Sequence, residues 1–354
     1  MKKATTLALS LMTVIALLLT GCSSSTGSSQ TQESAASTET AASTATDSSS
    51  DIDLSGVTLR VNGFNTTQAL LDAAGLSDTP YTLEIDVYAG GNLALQAMAA
   101  DELDLAYTSE IPPLFASLAE GGGNFKIVAT GEGNTQLQDL IVGPESTVQS
   151  VAELKGQKVG YVQSTTAQYF LLKMLDQAGL TWDDIEPVNL SPSDGLAALI
   201  SGDIAAFAVY GPQVTTDLAQ GGRILESAED ILSGNYIYSA SELALADPAT
   251  SAAIVDYLSR TEQANEWIRN HYEEYAKIAA ESNGMTEEDY VAYLKTGDAQ
   301  RESHIRAFTE SDQASLQDVA DSFYGVGLLE SQIDVQTLYS DTLADQIAQQ
   351  VKTN

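Results

Sequence analysis

The sequence predicts an α/β fold with two lobes, and three observations support this prediction. Strand-like and helix-like segments alternate from residue 54 to about residue 235. The alternation comes as two successive series of similar order, separated by the polar segment 131–134. After residue 240 the character changes, and long helical patterns follow one another. Two α/β lobes joined by extended hinges, with the C-terminal helices packed on the first lobe, account for all three observations.

The same patterns predict the domain boundaries. Lobe 1 is expected at residues 54–133, lobe 2 at 134–235, and a return to lobe 1 with the C-terminal helices at 236–354. The chain has 354 residues and 44% hydrophobic content, which is enough to fill two ordinary cores.

The N-terminus predicts export and a lipid anchor. Residues 1–21 combine a basic start with an apolar run that is short for a membrane span, as in a secretion signal. The segment Leu19-Thr20-Gly21-Cys22 matches the bacterial lipobox, and Cys22 is the only cysteine. We therefore expect lipidation of Cys22, attachment to the extracytoplasmic side of the cell membrane, and no disulfide within the chain. An ordinary secreted protein with an incidental cysteine is the alternative.

Composition predicts a disordered linker and excludes one class of partner. Residues 22–53 follow the signal and are mostly Ser, Thr and Ala, which bury too little apolar surface to offset the entropy of ordering. The formal net charge of −34 repels nucleic acid and gives no long-range attraction for an anion. Any anionic ligand would need local hydrogen-bond donors.

The first series opens with a strand and centres on a strand-helix-strand unit. Strands are predicted at 57–61, 81–88, 103–108 and 125–130, with helices at 69–74, 93–98 and 112–119. Gly90 and Gly91 relax the backbone before Asn92, which is expected to cap the helix that follows. Loops beyond the carboxyl ends of such strands line a crevice where small ligands bind.

The second series repeats this pattern, and a helical region follows it. Strands are predicted at 140–142, 158–162, 187–190 and 204–210, with helices at 151–155, 165–178 and 192–201. A strand at 236–240 precedes helices at 248–275, 286–294 and 316–325.

Four loops share a composition rich in Ser, Thr, Asn and Gly. They are Phe64–Gln68, Gly90–Asn92, Tyr107–Glu110 and Ser164–Thr166. Three of them stand at helix starts, where backbone N–H groups and the helix dipole favour an anion such as a sulfonate, nitrate or carboxylate. Each loop taken alone is equally typical of a plain N-cap, and only their coincidence at successive strand ends indicates a ligand site.

Glu110 and the aromatic residues add two further features. An acid in this loop could pair with a ligand amine, accept a hydroxyl hydrogen bond, or tie the loop to backbone N–H groups. Aromatic residues at strand ends could supply flat walls for a ligand or belong to the core and rim. They are Phe64, Tyr107, Tyr210, Tyr236 and Tyr238.

Several of these segments carry a resemblance to a known family. The segments are 92–104, 107–113 (YTSEIPP), 151–159 (VAELKGQKV), the Ser164–Thr166 loop with its helix, and 202–210 (GDIAAFAVY). They resemble the substrate-binding proteins of ABC importers in the nitrate/sulfonate/taurine group, and most of all the aliphatic-sulfonate receptors, over residues 54 to about 294.

The resemblance implies a fold, partners and a site. The fold would be that of a type II-like periplasmic binding protein, a monomer that closes on one small-molecule ligand and delivers it to a membrane permease with an ATPase, without a cofactor. The loops and the resemblance together predict the ligand-binding residues, which are Phe64, Asn65, Thr66, Gly91, Asn92, Thr108, Ser109, Glu110, Asn134, Ser164, Thr165, Thr166 and Tyr210.

The chain also departs from the sulfonate-receptor pattern. Those receptors usually read Gly-Ser-Asn where this chain has Ser164–Thr166, and an acidic, tryptophan-containing loop is common where it has Tyr210-Gly211-Pro212. The family's tryptophan near the first cleft loop is also absent. A sulfonate is therefore the leading ligand, and a nitrate, an amine-bearing sulfonate, a thiamine-pyrimidine precursor or a flavin precursor stays open.

An enzyme and a sensor are the competing classes. The pyrimidine synthase of this fold depends on histidine and a cysteine-rich motif, whereas Cys22 is used for the lipid and both histidines, His271 and His304, fall in the helical C-terminal part. No Ser-His-Asp set, metal-ligand spacing or nucleotide loop is present. We therefore predict a binding protein without enzymatic activity and without a metal; a receptor that signals through another membrane protein is the remaining alternative.

Overall fold

A computed structural model describes residues 52–352 of the chain. The predicted signal peptide, Cys22 and almost all of the predicted linker lie outside these residues. Eleven strands and twelve α-helices form two separate sheets and the helices around them within the described range. The predicted α/β class with two lobes is therefore confirmed.

The strands and helices follow one another in the order that the sequence predicts for most of the chain. The strands are β1 Thr58–Gly63, β2 Thr82–Val87, β3 Leu105–Ser109, β4 Phe125–Glu132, β5 Gln138–Val142, β6 Lys158–Tyr161, β7 Glu186–Asn189, β8 Ala206–Tyr210, β9 Arg223–Ser227, β10 Asn235–Ser241 and β11 His304–Arg306. The helices are α1 Thr67–Ala73, α2 Gly91–Ala99, α3 Ile111–Leu118, α4 Thr166–Gln177, α5 Pro192–Ser201, α6 Pro212–Ala219, α7 Glu242–Ala246, α8 Pro248–Asn270, α9 Tyr272–Ala279, α10 Glu287–Gln300, α11 Glu310–Gly325 and α12 Ala344–Gln350.

The first sheet has six strands in the order β11-β4-β10-β3-β1-β2. Strands β1, β2 and β3 are parallel, whereas β10 runs antiparallel to both of its neighbours, β3 and β4. The pairing sets Tyr236 opposite Ser109 and Asn235 opposite Glu132. The returning strand β10 therefore brings the start of its own sequence to the ends of β3 and β4.

The second sheet has five strands in the order β7-β6-β8-β5-β9. Strand β6 is parallel to β7 and β8, and β5 is antiparallel to β8 and β9. Its core is built on both faces by residues such as Phe170, Leu171 and Phe207, which are fully buried. The near-continuous apolar strand sequences fit a sheet that helices cover on both faces.

The C-terminal helices pack on the first sheet, as the sequence predicts. Ile254 and Leu258 of α8 and Ile347 of α12 are fully buried in one core with the strands β1, β3, β4 and β10. Phe323 of α11 is buried in the core on the other face. Helix α11 also reaches the second sheet's helix α4, because Lys173 Nζ donates to Ser322 Oγ at 3.0 Å.

One predicted helix is interrupted near its C-terminal end. The sequence predicts a continuous helix over 248–275, but the helix ends at Asn270 and a new one begins at Tyr272. Between them, His271 leaves the helical region with φ −141° and ψ 44°. Its ring stacks on Trp267 with centroids 4.6 Å apart, and Nδ1 lies 2.8 Å from the Trp267 carbonyl oxygen. These local contacts hold His271 at the point where the helix is interrupted, and the helical spacing of the apolar residues does not reveal the break.

Two short segments cross between the sheets. The first runs from the end of β4 to the start of β5, and the second runs from the end of β9 to the start of β10. They touch each other, because Gly133 N donates to Gly234 O at 3.0 Å.

Across the described part of the chain, no helix combines the length and apolar content that a membrane span requires.

Candidate functional site

The predicted loops of the two sheets meet each other. Asn92, near the start of α2, donates from Nδ2 to the carbonyl oxygen of Gln163, which precedes α4, at 3.2 Å. Gly90 lies against Tyr210 at the end of β8, since a Cβ built on Gly90 would fall 3.0 Å from Tyr210 Oη. A cleft between the sheets is therefore lined by loops that come from both.

Gly91 and Thr108 lie side by side on the first-sheet wall of this cleft. A Cβ built on Gly91 would come within 2.8 Å of the Thr108 side chain. Thr108 is buried, and its hydroxyl donates to the carbonyl oxygen of Ser109 at 2.8 Å. Gly91 thus lets α2 pack closely on the end of β3.

Asn92 does not cap helix α2. The N-cap is Gly90, which makes no side-chain cap bond, and Asn92 already lies inside the first turn. From that position its side chain reaches across to Gln163 instead. The sequence prediction of a cap is wrong because the N-cap is Gly90, two residues before Asn92.

The loop Ser164–Thr166 starts α4 on the second-sheet wall. Ser164 adopts the left-handed backbone conformation with φ 58°, and its N–H donates to Gln168 Oε1 at 2.8 Å. Thr165 is the N-cap: its hydroxyl accepts from Ala167 N at 3.2 Å and donates to the Val162 carbonyl oxygen at 2.7 Å. Thr166 Oγ1 donates to Gln138 Oε1. The hydrogen bonds of the Thr165 and Thr166 hydroxyls therefore hold the start of α4 in place beside the cleft.

The loop Phe64–Gln68 contributes mainly an aromatic edge. Phe64 is 66% exposed and meets the ring of Tyr107 edge-on with centroids 6.4 Å apart. Asn65 is exposed, and Thr66 makes no side-chain cap bond at the start of α1. Thr67 Oγ1 instead accepts from Phe64 N at 2.8 Å. The donors predicted at this helix start are thus partly used to close the turn.

A row of tyrosines forms the floor between the strand ends. The Tyr107 ring lies 5.5 Å from that of Tyr236 and 4.7 Å from that of Tyr238, measured between centroids. The Tyr236 hydroxyl donates to the Asn134 carbonyl oxygen at 2.9 Å. Burial raises the pKa of Tyr236 to about 12 and also raises the pKa values of Tyr107 and Tyr238 well above the ordinary value of a phenol. These phenols are therefore neutral donors at neutral pH.

Asn134 lies in the first crossing segment and packs on the C-terminal helices. Its Oδ1 accepts from Gln136 N at 3.2 Å, and its amide group fills the space beside Gly297 of α10. Next to it, Thr135 N donates to Gln300 Oε1 at 3.0 Å. The first crossing segment therefore contacts α10, and the side chain of Asn134 takes part in this contact.

Tyr210 presents a buried hydroxyl that has no partner within the described residues. Tyr210 Oη is inaccessible to solvent and makes no hydrogen bond with any of them. Burial raises the pKa of Tyr210 to about 12, so the hydroxyl stays protonated. A buried donor without a partner costs free energy, and ligand contact at Tyr210 stays a prediction.

Glu110 lies next to the second crossing segment, behind Ser109. It is 4% exposed, and Ser233 Oγ donates to its Oε2. Oε1 is also buried, and no described group donates a hydrogen bond to it. Burial raises the pKa of Glu110, and the side chains of Ser233, Ser315 and Asn235 offset part of this shift.

Glu110 faces a cavity of about 190 Å³ at the hinge. Predicted site residues line it, together with residues that sequence reasoning missed. The predicted ones are Ser109, Glu110 and Thr166, and the missed ones include Gln138, Ser233 and Asn235. Ser233-Gly234-Asn235 is typical of any polar turn, and nothing in the chain's sequence indicates that β10 would carry this turn back to Glu110.

A larger groove of about 820 Å³ lies on the other side of the Asn92–Gln163 bond. Its walls are α2, α3 and the Gly121–Gly123 turn on one side and Gln163, Ser164 and the start of α5 on the other.

Within residues 52–352, no cluster of His, Cys, Asp or Glu has the arrangement of a metal site.

Comparison with known proteins agrees with this architecture. The profile of a family described as "ABC transporter, phosphonate, periplasmic substrate-binding protein" matches residues 76–286. A protein of Escherichia coli (strain K12), provisionally named an aliphatic sulfonates-binding protein, is 29% identical over 251 residues, covering 70% of this chain and 76% of that protein.

Two solved structures share the fold. The aliphatic sulphonate binding protein SsuA from Escherichia coli superposes with a TM-score of 0.68 at 24% identity, covering 81% of this chain and 92% of the other. The alkanesulfonate-binding protein SsuA from Xanthomonas axonopodis pv. citri, bound to MOPS, gives 0.69 at 22% identity, covering 81% and 98%.

Proposed function

This chain belongs to the family of periplasmic substrate-binding proteins of ABC transporters, and on that premise we propose that it captures a small sulfonate-, nitrate- or taurine-like ligand between its two sheets. It would then deliver the ligand to a permease and its ATPase as a monomer, without a cofactor and without enzymatic activity of its own.

The observation that carries this proposal is the meeting of polar strand-end loops from both sheets at the start of α4. Thr165 and Thr166 lie there opposite Ser109 and Asn92, and α4 is a twelve-residue helix whose dipole favours an anion at this end. Backbone N–H groups at the start of α4, the Ser109 hydroxyl and amide groups would bind the anionic group without a basic side chain. The hydroxyl protons of Thr165 and Thr166 are already donated to Val162 and Gln138, so these side chains would act by holding the helix start in place.

The closing motion follows from the two crossing segments. Ligand would bind first to the Asn92 and Ser109 side and draw the start of α4 toward it as the residues near Asn134 and those before Tyr236 rotate. Only contacts that exist in the closed form favour closure, so the Asn92–Gln163 hydrogen bond is one such contact in the proposal.

A thermal-shift screen tests the ligand class. The probes are ethanesulfonate, taurine, nitrate and a thiamine-pyrimidine precursor, each at millimolar concentration. A ligand present at about 100 times its dissociation constant adds roughly 2.7 kcal/mol to the free energy of unfolding, which shifts the melting temperature by several degrees. If neither sulfonate, taurine nor nitrate raises the melting temperature, the proposed ligand class is wrong.

A pair of cap variants separates binding from folding. Thr165→Ala removes the cap of α4. Thr286→Ala removes the equivalent cap of α10, where Thr286 Oγ1 accepts from Asp289 N at 3.1 Å. Each should destabilise the protein by about 1 kcal/mol. Only Thr165→Ala should weaken ligand binding, as measured by calorimetry; equal affinities in the two variants would reduce the loop to a plain cap.

We also propose that the protein is held at the extracytoplasmic side of the membrane by lipid on Cys22. The lipobox sequence supports this, and the predicted linker would give the folded part reach from the membrane. Cys22→Ser should move the protein from the membrane fraction to the soluble fraction. Retention of lipid on that variant would contradict the proposal.

A further inference from the structure

The cavity beside Glu110, called the chamber below, is lined by both apolar side chains and polar groups. Its walls carry the hydroxyls of Ser109, Thr135, Thr166, Ser233 and Ser315 and the carboxyl groups of Glu110 and Asp318. At about 190 Å³ it has several times the volume of one water molecule, which is about 30 Å³. It can therefore hold part or all of a small ligand.

The carboxyl groups of Glu110 and Asp318 give this chamber an acidic lining. Among the described residues, no lysine, arginine or histidine lines it, whereas two carboxyl groups do. Arg301 approaches from outside, where it donates to the Ser233 carbonyl oxygen and to Asn235 Oδ1. An anionic group gains nothing from these carboxylates, but a cationic group does.

Glu110 Oε1 supplies the specific contact. The carboxyl group is 4% exposed, its Oε2 accepts from Ser233, and Oε1 has no donor among the described residues. A buried acceptor without a donor costs about 1–3 kcal/mol, and more when it is charged. A ligand donor at Oε1 would recover that cost, and a charged donor would recover most.

We propose that this chamber binds a primary ammonium group of the ligand at Glu110 Oε1. The inference rests on the proposed function, and it narrows the ligand to a small zwitterion, an aminoalkanesulfonate or a close analogue. Ser109 and Thr166 line the same chamber at the cleft end, so the anionic group would stay at the start of α4 while the ammonium group reaches Glu110.

The inference also explains how such a ligand would act on the hinge. Ser233 Oγ donates to Glu110 and accepts from Asn235 N at 3.0 Å, so the second crossing segment is bound directly to the carboxyl group. An ammonium group at Oε1 would be one hydrogen bond away from the segment about which the lobes rotate.

The test uses two sulfonate probes of nearly equal size and one smaller ammonium probe. Taurine carries both an ammonium and a sulfonate group, 1-propanesulfonate replaces the ammonium by a methyl group, and propylammonium lacks the sulfonate. Calorimetric titration of the wild-type chain should show taurine binding at least about tenfold more tightly than 1-propanesulfonate, because a charge-assisted hydrogen bond is lost. Glu110→Gln keeps the shape of the side chain and an acceptor for the Ser233 hydroxyl. In this variant the preference for taurine over 1-propanesulfonate should fall to about twofold or less.

Glu120→Gln is the matched control, since Glu120 lines the larger groove and not this chamber; its taurine preference should equal that of the wild type. Equal binding of both sulfonates by the wild type, or an unchanged preference in Glu110→Gln, overturns the ammonium site and leaves the sulfonate proposal intact. Binding of propylammonium alone, abolished in Glu110→Gln, supports the site and overturns the sulfonate class. No binding of any probe overturns both.

Discussion

Two glutamates, Glu132 and Glu110, lie beside the same end of strand β10, but the charged groups around them differ. Glu132, at the end of β4, accepts from Arg306 Nε at 2.5 Å and lies 3.3 Å from Arg301 Nη2. Glu110, just after β3, is buried, has no cationic partner within residues 52–352 and faces a chamber. Two arginines therefore pair with the carboxyl group of Glu132, whereas the carboxyl group of Glu110 lines a cavity.

The pKa values of the two groups follow from this difference. Burial raises the pKa of Glu132, but the hydrogen bonds and charges of Arg306 and Arg301 outweigh it, so the net shift is downward. Burial also raises the pKa of Glu110, and only neutral hydroxyl and amide groups oppose it, so the net shift is upward. A carboxyl group that is buried and not paired by the protein is a candidate for ligand contact, whereas a paired one is structural.

The largest expected effect comes from breaking the paired region. Arg306 also forms a forked contact with Asp312, with Nη1 to Oδ2 at 2.6 Å and Nη2 to Oδ1 at 2.9 Å, and the Asp312 carboxyl group is buried. Arg306→Ala leaves that carboxylate without its cation and should lower the free energy of unfolding by about 2–3 kcal/mol, somewhat less than for a fully buried pair because the arginine is one-third exposed. Urea denaturation at pH 7 measures this loss.

Arg301→Ala is its control. Arg301 contacts Glu132 at the longer distance of 3.3 Å, and Arg306 remains beside that carboxylate. This variant should lose less than half as much stability as Arg306→Ala. Equal losses would mean that the fork on Asp312 contributes little.

A middle-sized effect is expected where Glu110 meets the second crossing segment. Ser233→Ala removes the donor to Oε2 and leaves a buried carboxyl group short of one hydrogen bond, which should cost about 1–2 kcal/mol. Ser233→Thr keeps the hydroxyl and should recover most of the loss, as measured by thermal denaturation without ligand. Failure of threonine to recover it would indicate that packing, and not the hydrogen bond, is at stake.

The smallest effect should distinguish the two glutamates by the sign of its pH dependence. Because the folded-state pKa of Glu110 is raised, the stability linked to that group is fully present below its unfolded pKa and is lost as pH rises through the folded value. Because the pKa of Glu132 is lowered, its contribution is present above the unfolded pKa and is lost as pH falls through the folded value.

Glu110→Gln should therefore gain stability relative to the wild type between pH 4 and pH 7, and Glu132→Gln should lose it, each by about 1 kcal/mol or less. Urea denaturation at both pH values gives the two differences. Shifts of the same sign in the two variants would contradict the contrast drawn here.

Much of the fold could be predicted from the sequence because its periodic signals are local. The strand-helix-strand unit around residues 82–109 and the Pro192–Ser201 helix have apolar positions and turn residues that determine their type without long-range help. The three-residue strand His304–Arg306 was missed because it pairs with β4, far away in sequence. The break at His271 was missed because the helical pattern of the sequence runs through it, although its partner Trp267 is only four residues away.

The candidate site was predicted in part for the same reason. Thr165 caps its helix, as a local reading of Ser-Thr-Thr predicts. Asn92 has equally good capping chemistry and binds across the cleft instead, because Gly90 and Gly91 begin the helix earlier. The binding roles of these residues stay predictions until ligands are tested.

The sequence by itself determined the α/β class with two series of strands and the composition of the cleft loops, since each of these resides in neighbouring residues or in overall composition. The export signal and its lipidated cysteine stay predictions from the sequence. Only the tertiary structure decided the surroundings of Glu110. Strand β10 returns from the second lobe and pairs between β3 and β4, and this pairing places Ser233 and Asn235 beside a carboxyl group more than a hundred positions earlier in the chain. Burial and charge pairing depend on such distant neighbours, so a carboxyl group's role as structural partner or open binding group is set by the fold.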